Sequence, residues 1–269
     1  MRKKGEPIAM ITAHDFPREH VADHAGMDMV LVGDSLAMVA LGMEDTSEIV
    51  LEDMLLHCKC VARATKTAFT IGDLPMGCYE ISPEQALASA IRVIKEGRMQ
   101  AIKLEGGLEM VPTIQKITAA GIPVLRHIGL TPQRQNALGG FRVQGKTAAS
   151  AVKVLHDALA IQKAGCFAVV VEAEPGGGSG CSGQVLVQVD MAGNFPPGRF
   201  LPKFVKQYGD VWGETKRAIE SYRDEVKSRA YPAQEHTYPI AKDELEQFER
   251  VLANTSKSSF GGPEESGRK

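Results

Sequence analysis

No apolar run in the 269-residue chain approaches the roughly 18 residues a membrane-crossing helix requires, so no membrane partner is expected. Charge of one sign is equally scarce. A formal net charge of -2 excludes the strongly cationic surface that would attract nucleic acid or acidic lipid. The five cysteines (Cys58, Cys60, Cys78, Cys166 and Cys181) are odd in number and lack any CxxC spacing, which favours neither a disulfide framework nor a zinc ribbon and predicts a reducing compartment. The basic N-terminus reaches an apolar run at Ile8, so no leader peptide is expected in this chain.

With 43% hydrophobic and 24% charged residues, the chain can bury a large core and suits small-molecule chemistry. From Ile8 to Gly165, short apolar runs alternate with amphipathic stretches, the pattern of consecutive βα units. Strands are predicted at Ile8–Ala13, Met29–Val32, Phe69–Ile71, Ala101–Leu104, Val124–Ile128 and Phe167–Val171, with a seventh at Gln184–Val189 after a glycine-rich segment. Several are continuous Val, Ile, Leu and Met runs, as in parallel strands covered on both faces. Ser82-Pro83-Glu84-Gln85 carries a helix-start signature, and Gly97, Gly121 and Gly165 each end a predicted helix shortly before a strand. Cys58 and Cys60 lie two apart in an amphipathic helix and are read as structural. The expected fold is α/β, a (β/α)8 TIM-type barrel that is incomplete, with about seven strands and C-terminal helices such as Gly213–Arg229. One domain is expected over residues 1–254, followed by a disordered tail at 255–269.

In such a barrel, chemistry sits at the C-terminal ends of the strands, and here those ends carry ionisable groups repeatedly. Asp34 follows the second strand, Asp73 the third and Glu105 the fourth, with spacings of 39 and 32 residues. Each acid alone reads more readily as a turn former or helix cap than as a ligand. Their recurrence at one structural position is what points to a site. Three carboxylates at one mouth repel one another unless a cation neutralises them, which predicts a hard divalent ion such as Mg²⁺ held by Asp34 and Asp73, with Glu105 on the ion or on its water. Lys103 and Glu105, two positions apart on one strand, project to the same side, where Lys103 meets either a substrate carboxylate or Glu105. His127 closes the fifth strand and Glu172 the sixth. Ser35 reads either as a ligand or as a cap for the next helix.

Seven ordered motifs carry a resemblance: Thr12-Ala13-His14-Asp15, Val32-Gly33-Asp34-Ser35-Leu36, Gly72-Asp73-Leu74-Pro75, Lys103-Leu104-Glu105-Gly106-Gly107, His127-Ile128-Gly129-Leu130-Thr131-Pro132-Gln133, Gly139-Gly140-Phe141 and Cys181-Ser182-Gly183-Gln184. Together they resemble the ketopantoate hydroxymethyltransferase family, in particular its fungal and plant members. The resemblance implies transfer of a hydroxymethyl group from 5,10-methylenetetrahydrofolate to the 2-oxo acid 3-methyl-2-oxobutanoate in pantothenate biosynthesis, through an enolate stabilised by Mg²⁺. It implies Mg²⁺ on Asp34 and Asp73 with Glu105 nearby, Ser35 and Lys103 at the substrate carboxylate, Glu172 as base and His127 as an orienting group. It further implies a homo-oligomer in the mitochondrial matrix or the cytoplasm.

Two departures stand out. Between the Glu172 strand and Cys181 the family has a further helix and strand, where this chain has only Gly176–Gly180, so about one βα unit is missing. The consequence is either unpaired backbone edges beside Glu172 or reclosure by the last strand. Arg126 stands where the family usually has glycine. The alternatives are a lyase of the phosphoenolpyruvate mutase and isocitrate lyase type, or a catalytically impaired, truncated relative.

Overall fold

The computed structural model describes residues 5–140, 142–173 and 180–258. In chain order the elements are β1 (Ile8–Thr12), α1 (Phe16–His24), β2 (Met29–Val32), α2 (Leu36–Val39), α3 (Leu51–Ala64), β3 (Phe69–Asp73), α4 (Pro83–Lys95), β4 (Ala101–Glu105), α5 (Val111–Ala119), β5 (Val124–Gly129), α6 (Gln135–Leu138), α7 (Ala148–Lys163), β6 (Ala168–Glu172), β7 (Gly183–Leu186), α8 (Gln188–Met191), α9 (Val211–Ser228) and α10 (Lys242–Ser258). Compactness divides the chain into two units, residues 1–212 and 213–269.

The first unit holds one sheet of seven strands in the order β6-β5-β4-β3-β2-β1-β7, and every ladder is parallel. It is a half-barrel of the TIM type, with helices on its outer face. Local sequence explains the helices between the strands. Ser82 accepts the Gln85 N–H at 3.1 Å and Pro83 occupies the first turn of α4, so an otherwise unpaired N–H is satisfied where proline's missing donor costs nothing. Gly121 and Gly165 follow α5 and α7 with φ of +82° and +103°, a conformation glycine adopts without steric penalty. Gly72 allows α4 to approach β3 closely, since a Cβ there would lie 2.6 Å from Val93 Cγ1. Cys58 points into the core, whereas Cys60 on the same helix is half-buried.

The strand alternation divides the interior into two layers. One set of side chains, including Val30, Val32, Ile102, Leu104 and Val124, packs against α3, α4 and α5. The other set, Leu31, Ile71, Ala101 and Leu125 with Met10, Met29, Phe69, Ala168 and Val170, fills the concave side. Residues two positions further along share that second side, so the apolar layer forms a floor beneath Asp73, Lys103, Glu105, His127 and Glu172.

The last strand is shorter than the sequence pattern implies. β7 pairs with β1 from Ile8↔Gly183 to Ile11↔Leu186 and stops, because β1 itself ends at Thr12. The Gln188 N–H turns to Thr12 Oγ1 at 3.2 Å, and Gln188–Met191 forms α8 in place of a continued strand. β7 does not reclose the barrel: β6 and β7 are the two ends of the sheet among the described residues. The glycine-rich segment between them lies mostly outside the described residues.

The second unit contains nearly all of α9, a 3-10 turn at Gln234–His236, and α10. Tyr231 packs edge-on against Tyr222, with ring centroids 5.5 Å apart. Of the expected disordered tail, residues 255–258 belong to α10 and the remainder lies outside the described residues.

Candidate active site

The register of the sheet assembles the site. Asp73 pairs with Lys103, Glu105 with His127, and Gly129 with Glu172, so inward-facing side chains near the ends of four adjacent strands follow one another across the sheet in rows that step by two residues. Asp34 arrives from the turn after β2, where its backbone N–H donates to Asp73 Oδ2 at 3.3 Å. Lys103 donates to the same Asp73 oxygen, and its partner is therefore Asp73 rather than Glu105. Asp73 and Glu105 are wholly buried, and Lys103 and Asp34 nearly so. Opposite them, His127 Nδ1 lies 3.4 Å from Glu105 Oε1, and His127 Nε2 lies 3.2 Å from Glu172 Oε2. Ser35 is half-buried beside Asp34 and makes no capping bond to α2, which leaves its hydroxyl available for a ligand.

One residue to which sequence reasoning assigned no role holds the cluster together. Gln133 donates through Nε2 to Asp34 Oδ2 at 2.7 Å and to the Leu74 carbonyl at 3.0 Å. Its backbone N–H donates to Glu105 Oε2 at 3.1 Å, and its Oε1 accepts the Tyr79 hydroxyl. The available signal was Gln133 closing the His127–Gln133 motif, but a loop glutamine carries no spacing that predicts four partners. Beyond Glu172 the chain turns sharply. Ala173 has φ 51°, an uncommon conformation for a residue with a Cβ, and its carbonyl accepts the Gln144 N–H at 3.1 Å.

Burial governs the electrostatics. Desolvation raises the Asp73 carboxyl, Lys103 partly offsets that, and the neighbouring Asp34 raises it further. Glu105 is raised by burial as well, against Lys103 and with Asp34 and Asp73 adding repulsion. Burial would lower Lys103, but the three carboxylates outweigh it and hold the ammonium charged. Burial lowers His127 despite the opposing pull of Glu172, favouring neutral imidazole.

The cluster fits a hard divalent cation by charge and donor chemistry. Asp34, Asp73 and Glu105 set three carboxylates against the single ammonium of Lys103, and Asp73 Oδ1 and Glu105 Oε1 are buried with no hydrogen-bond partner. Uncompensated buried carboxylate oxygens are costly, and an oxygen-seeking ion relieves them. Among the described residues no three His, Cys, Asp or Glu side chains already form a ligand group. The fit is therefore to an ion that takes one or two protein carboxylates and fills its remaining positions with water and substrate, as Mg²⁺ commonly does.

The sequence pattern of the family described as ketopantoate hydroxymethyltransferase matches residues 1–176 and 174–234. The chain belongs to that family. The match falls into two stretches that meet between β6 and β7, the two ends of the sheet among the described residues. Relatives of the family name are extensive. A 3-methyl-2-oxobutanoate hydroxymethyltransferase of Emericella nidulans is 66% identical over 268 residues, covering 93% of this chain and 77% of that protein. One from Oleidesulfovibrio alaskensis is 46% identical, covering 93% and 92%. The mitochondrial 3-methyl-2-oxobutanoate hydroxymethyltransferase 2 of Oryza sativa is also 46% identical, covering 93% and 68%. The chain is thus a one-carbon transferase of the ketopantoate hydroxymethyltransferase type.

Among solved structures, phosphonopyruvate hydrolase aligns with a TM-score of 0.55 at 12% identity, covering 96% of this chain and 95% of that one. A 2,3-dimethylmalate lyase, described as a phosphoenolpyruvate mutase/isocitrate lyase superfamily member, aligns with a TM-score of 0.53 at 14% identity, covering 97% and 96%. At such identities these likenesses establish the fold alone. No helix among the described residues is long and apolar enough to cross a membrane.

Proposed function

We propose that the chain transfers the one-carbon unit of 5,10-methylenetetrahydrofolate to 3-methyl-2-oxobutanoate, with water supplying the hydroxyl, to give 2-dehydropantoate and tetrahydrofolate. The observation that carries this is the pairing of an electron-rich carboxylate cluster, Asp34, Asp73 and Glu105, with the His127–Glu172 pair 3.2 Å apart on the neighbouring strands. Asp34 and Asp73 would hold Mg²⁺, with Glu105 nearby. When bound, the ion supplies Lewis-acid stabilisation of negative charge on the keto oxygen.

The chain's own residues account for the remaining demands of the reaction. Glu172 takes the proton from C3 of the oxo acid, with the Nε2 of neutral His127 3.2 Å from its carboxylate to orient it. Lys103 and the Ser35 hydroxyl orient the substrate carboxylate, with Lys103 also kept charged by the acids around it. The apolar floor of Leu31, Ile71 and Leu125 keeps the reacting carbon away from water. A 2-oxo acid and a folate are the small-molecule partners, and the mitochondrial relative makes the mitochondrial matrix the favoured compartment.

A second reading, an impaired relative, draws on one observation. Glu172 closes β6, the strand at the open edge, and its side chain is 29% exposed, far more than its neighbours in the cluster. An assay of 2-dehydropantoate formation with Mg²⁺ and then with a chelator tests both. Folate-dependent, metal-dependent turnover lost in Glu172→Gln supports the proposal. No turnover from a cooperatively folded protein supports the impaired reading, and cleavage of isocitrate would point to a lyase.

A further inference from the structure

One cavity among the described residues adjoins the strand-end cluster without belonging to it. It has a volume of ≈ 340 Å³ and is lined among others by Gly106, Gly107, Thr131, Arg134, Ser150 and Lys153. Gly106 and Gly107 follow Glu105 directly, and Ile128 and Gly129, also in its wall, follow His127. The cavity therefore begins one residue beyond the reacting groups, between the strand ends and α7.

Its charges balance in the wall but not behind it. Glu109 is engaged by the Arg134 guanidinium and by the Gly107 N–H at 3.1 Å, and Asp157 accepts the Leu108 N–H at 3.0 Å. Lys153 has no ion-pair partner among the described residues. Behind the Gly106 wall stands Arg126, which has opposite parity to His127 and points into the helix layer. Arg126 is 0% exposed, donates through Nη2 to the Gly106 carbonyl, and has Nε and Nη1 without partners. A buried guanidinium with no carboxylate is an uncompensated charge of the kind proteins pair or place beside a ligand. The cavity wall itself carries two cations, Arg134 and Lys153, and two acids, Glu109 and Asp157, so the surplus charge is that of Arg126 behind it. The surplus is positive.

We propose that this cavity is a carboxylate-binding subsite that takes the glutamate tail of the folate donor, with Lys153 and Arg134 meeting the tail and Arg126 biasing the site from behind Gly106. The inference rests on the hydroxymethyl-transfer reading above. The volume suits a glutamyl group, being at the lower limit of ligand pockets. The position suits a tail whose reactive end lies over His127 and Glu172. A free small anion has the same chemistry, so the test must separate the two sources.

The test uses the full chain, Lys153→Ala, and Lys163→Ala as a control on the same helix but outside the cavity wall. Loss of one charge-assisted contact should raise the KM for 5,10-methylenetetrahydrofolate about tenfold in Lys153→Ala while the KM for 3-methyl-2-oxobutanoate stays constant. Thermal-shift titration with p-aminobenzoylglutamate reads the same site without turnover, and its apparent Kd should weaken by a similar factor. Arg126→Lys, which keeps the charge, should retain probe binding, and Arg126→Met should weaken it. If Lys153→Ala matches Lys163→Ala in donor KM and in probe binding, the subsite is overturned. Stabilisation by inorganic phosphate but not by p-aminobenzoylglutamate would overturn the tail assignment in favour of a free anion. Lys153-dependent probe binding in a protein without hydroxymethyl transfer would sink the reaction reading and leave the subsite standing.

Discussion

Lys103 donates its ammonium to the Asp73 carboxylate, with the lysine 4% exposed and the aspartate 0%. The two sit opposite each other in the β3–β4 register, so the contact is set by the sheet itself rather than by a loop. Removing one member of a buried pair leaves a desolvated charge behind. Lys103→Met is therefore expected to lower folding stability by about 3–5 kcal/mol, measured by denaturant unfolding, as well as abolish turnover. A loss below about 1 kcal/mol would mean that Asp73 is not ionised in the folded protein.

The Gln133 network makes a separable prediction. Gln133→Ala would strand the buried Tyr79 hydroxyl and remove the clamp on Asp34, at a cost of about 1–3 kcal/mol. If Asp34 binds the metal, the same change should weaken Mg²⁺ affinity by about 10–100-fold, as disturbance of groups behind metal ligands does. Isothermal titration with Mg²⁺ measures this. An unchanged affinity would remove Asp34 from the ligand set.

Stability should fall with pH above neutrality in the absence of metal. Burial, with the neighbouring acids, raises Glu105 from its ordinary 4.5 to about 9, so its stabilising contribution is whole below about 4.5 and is lost as pH rises through 9. Asp73 and Glu19, each raised to about 7 and first of all by burial, add to the decline up to that point. His14, lowered to about 4 by burial, acts in the opposite direction but only between 4 and 6.5. From pH 7 to 9 the slope therefore reports chiefly on Glu105, and Glu105→Gln should flatten a plot of Tm against pH there. An unaltered slope in the variant would place the titrating group elsewhere.

Magnesium should oppose that decline. An ion binding only the folded state at about 100 times its Kd adds about 2.7 kcal/mol, and the gain should vanish in Asp73→Asn. Differential scanning calorimetry with and without chelator measures it, and equal gains in both proteins would locate the ion away from this cluster.

The open edge of the half-barrel has a cost of its own. β6 is Ala168-Val169-Val170-Val171-Glu172, with no gatekeeping charge before its last residue, and Phe167 and Val169 are exposed, as are Val152, Leu155 and Leu159 of α7. Such an edge templates pairing with other strands. Concentration-dependent association is expected by light scattering, and Val169→Lys should suppress it. Equal scattering from both proteins would show that the edge is not the adhesive surface.

How much of this was legible in the residues follows from the range of each interaction. Six strands, the Ser82 helix start, the glycine stops after α5 and α7, and the acids at successive strand ends all depend on periodicity and backbone preference within a few residues, which the chain carries locally. The seven motifs likewise sufficed for the family, and the missing βα unit could be counted between Glu172 and Cys181. The end of β7 was not legible, because it depends on where β1 stops: the ladder's last pair is Ile11↔Leu186, and β1 itself ends at Thr12. Nor were the choice of Asp73 over Glu105 by Lys103, the four bonds of Gln133, and the burial of Arg126 behind Gly106. Those depend on strand register and on which groups lose water together. Such relations exist only when distant segments have come into contact, so the chain determined its elements and its chemical vocabulary, and the tertiary structure decided the pairings.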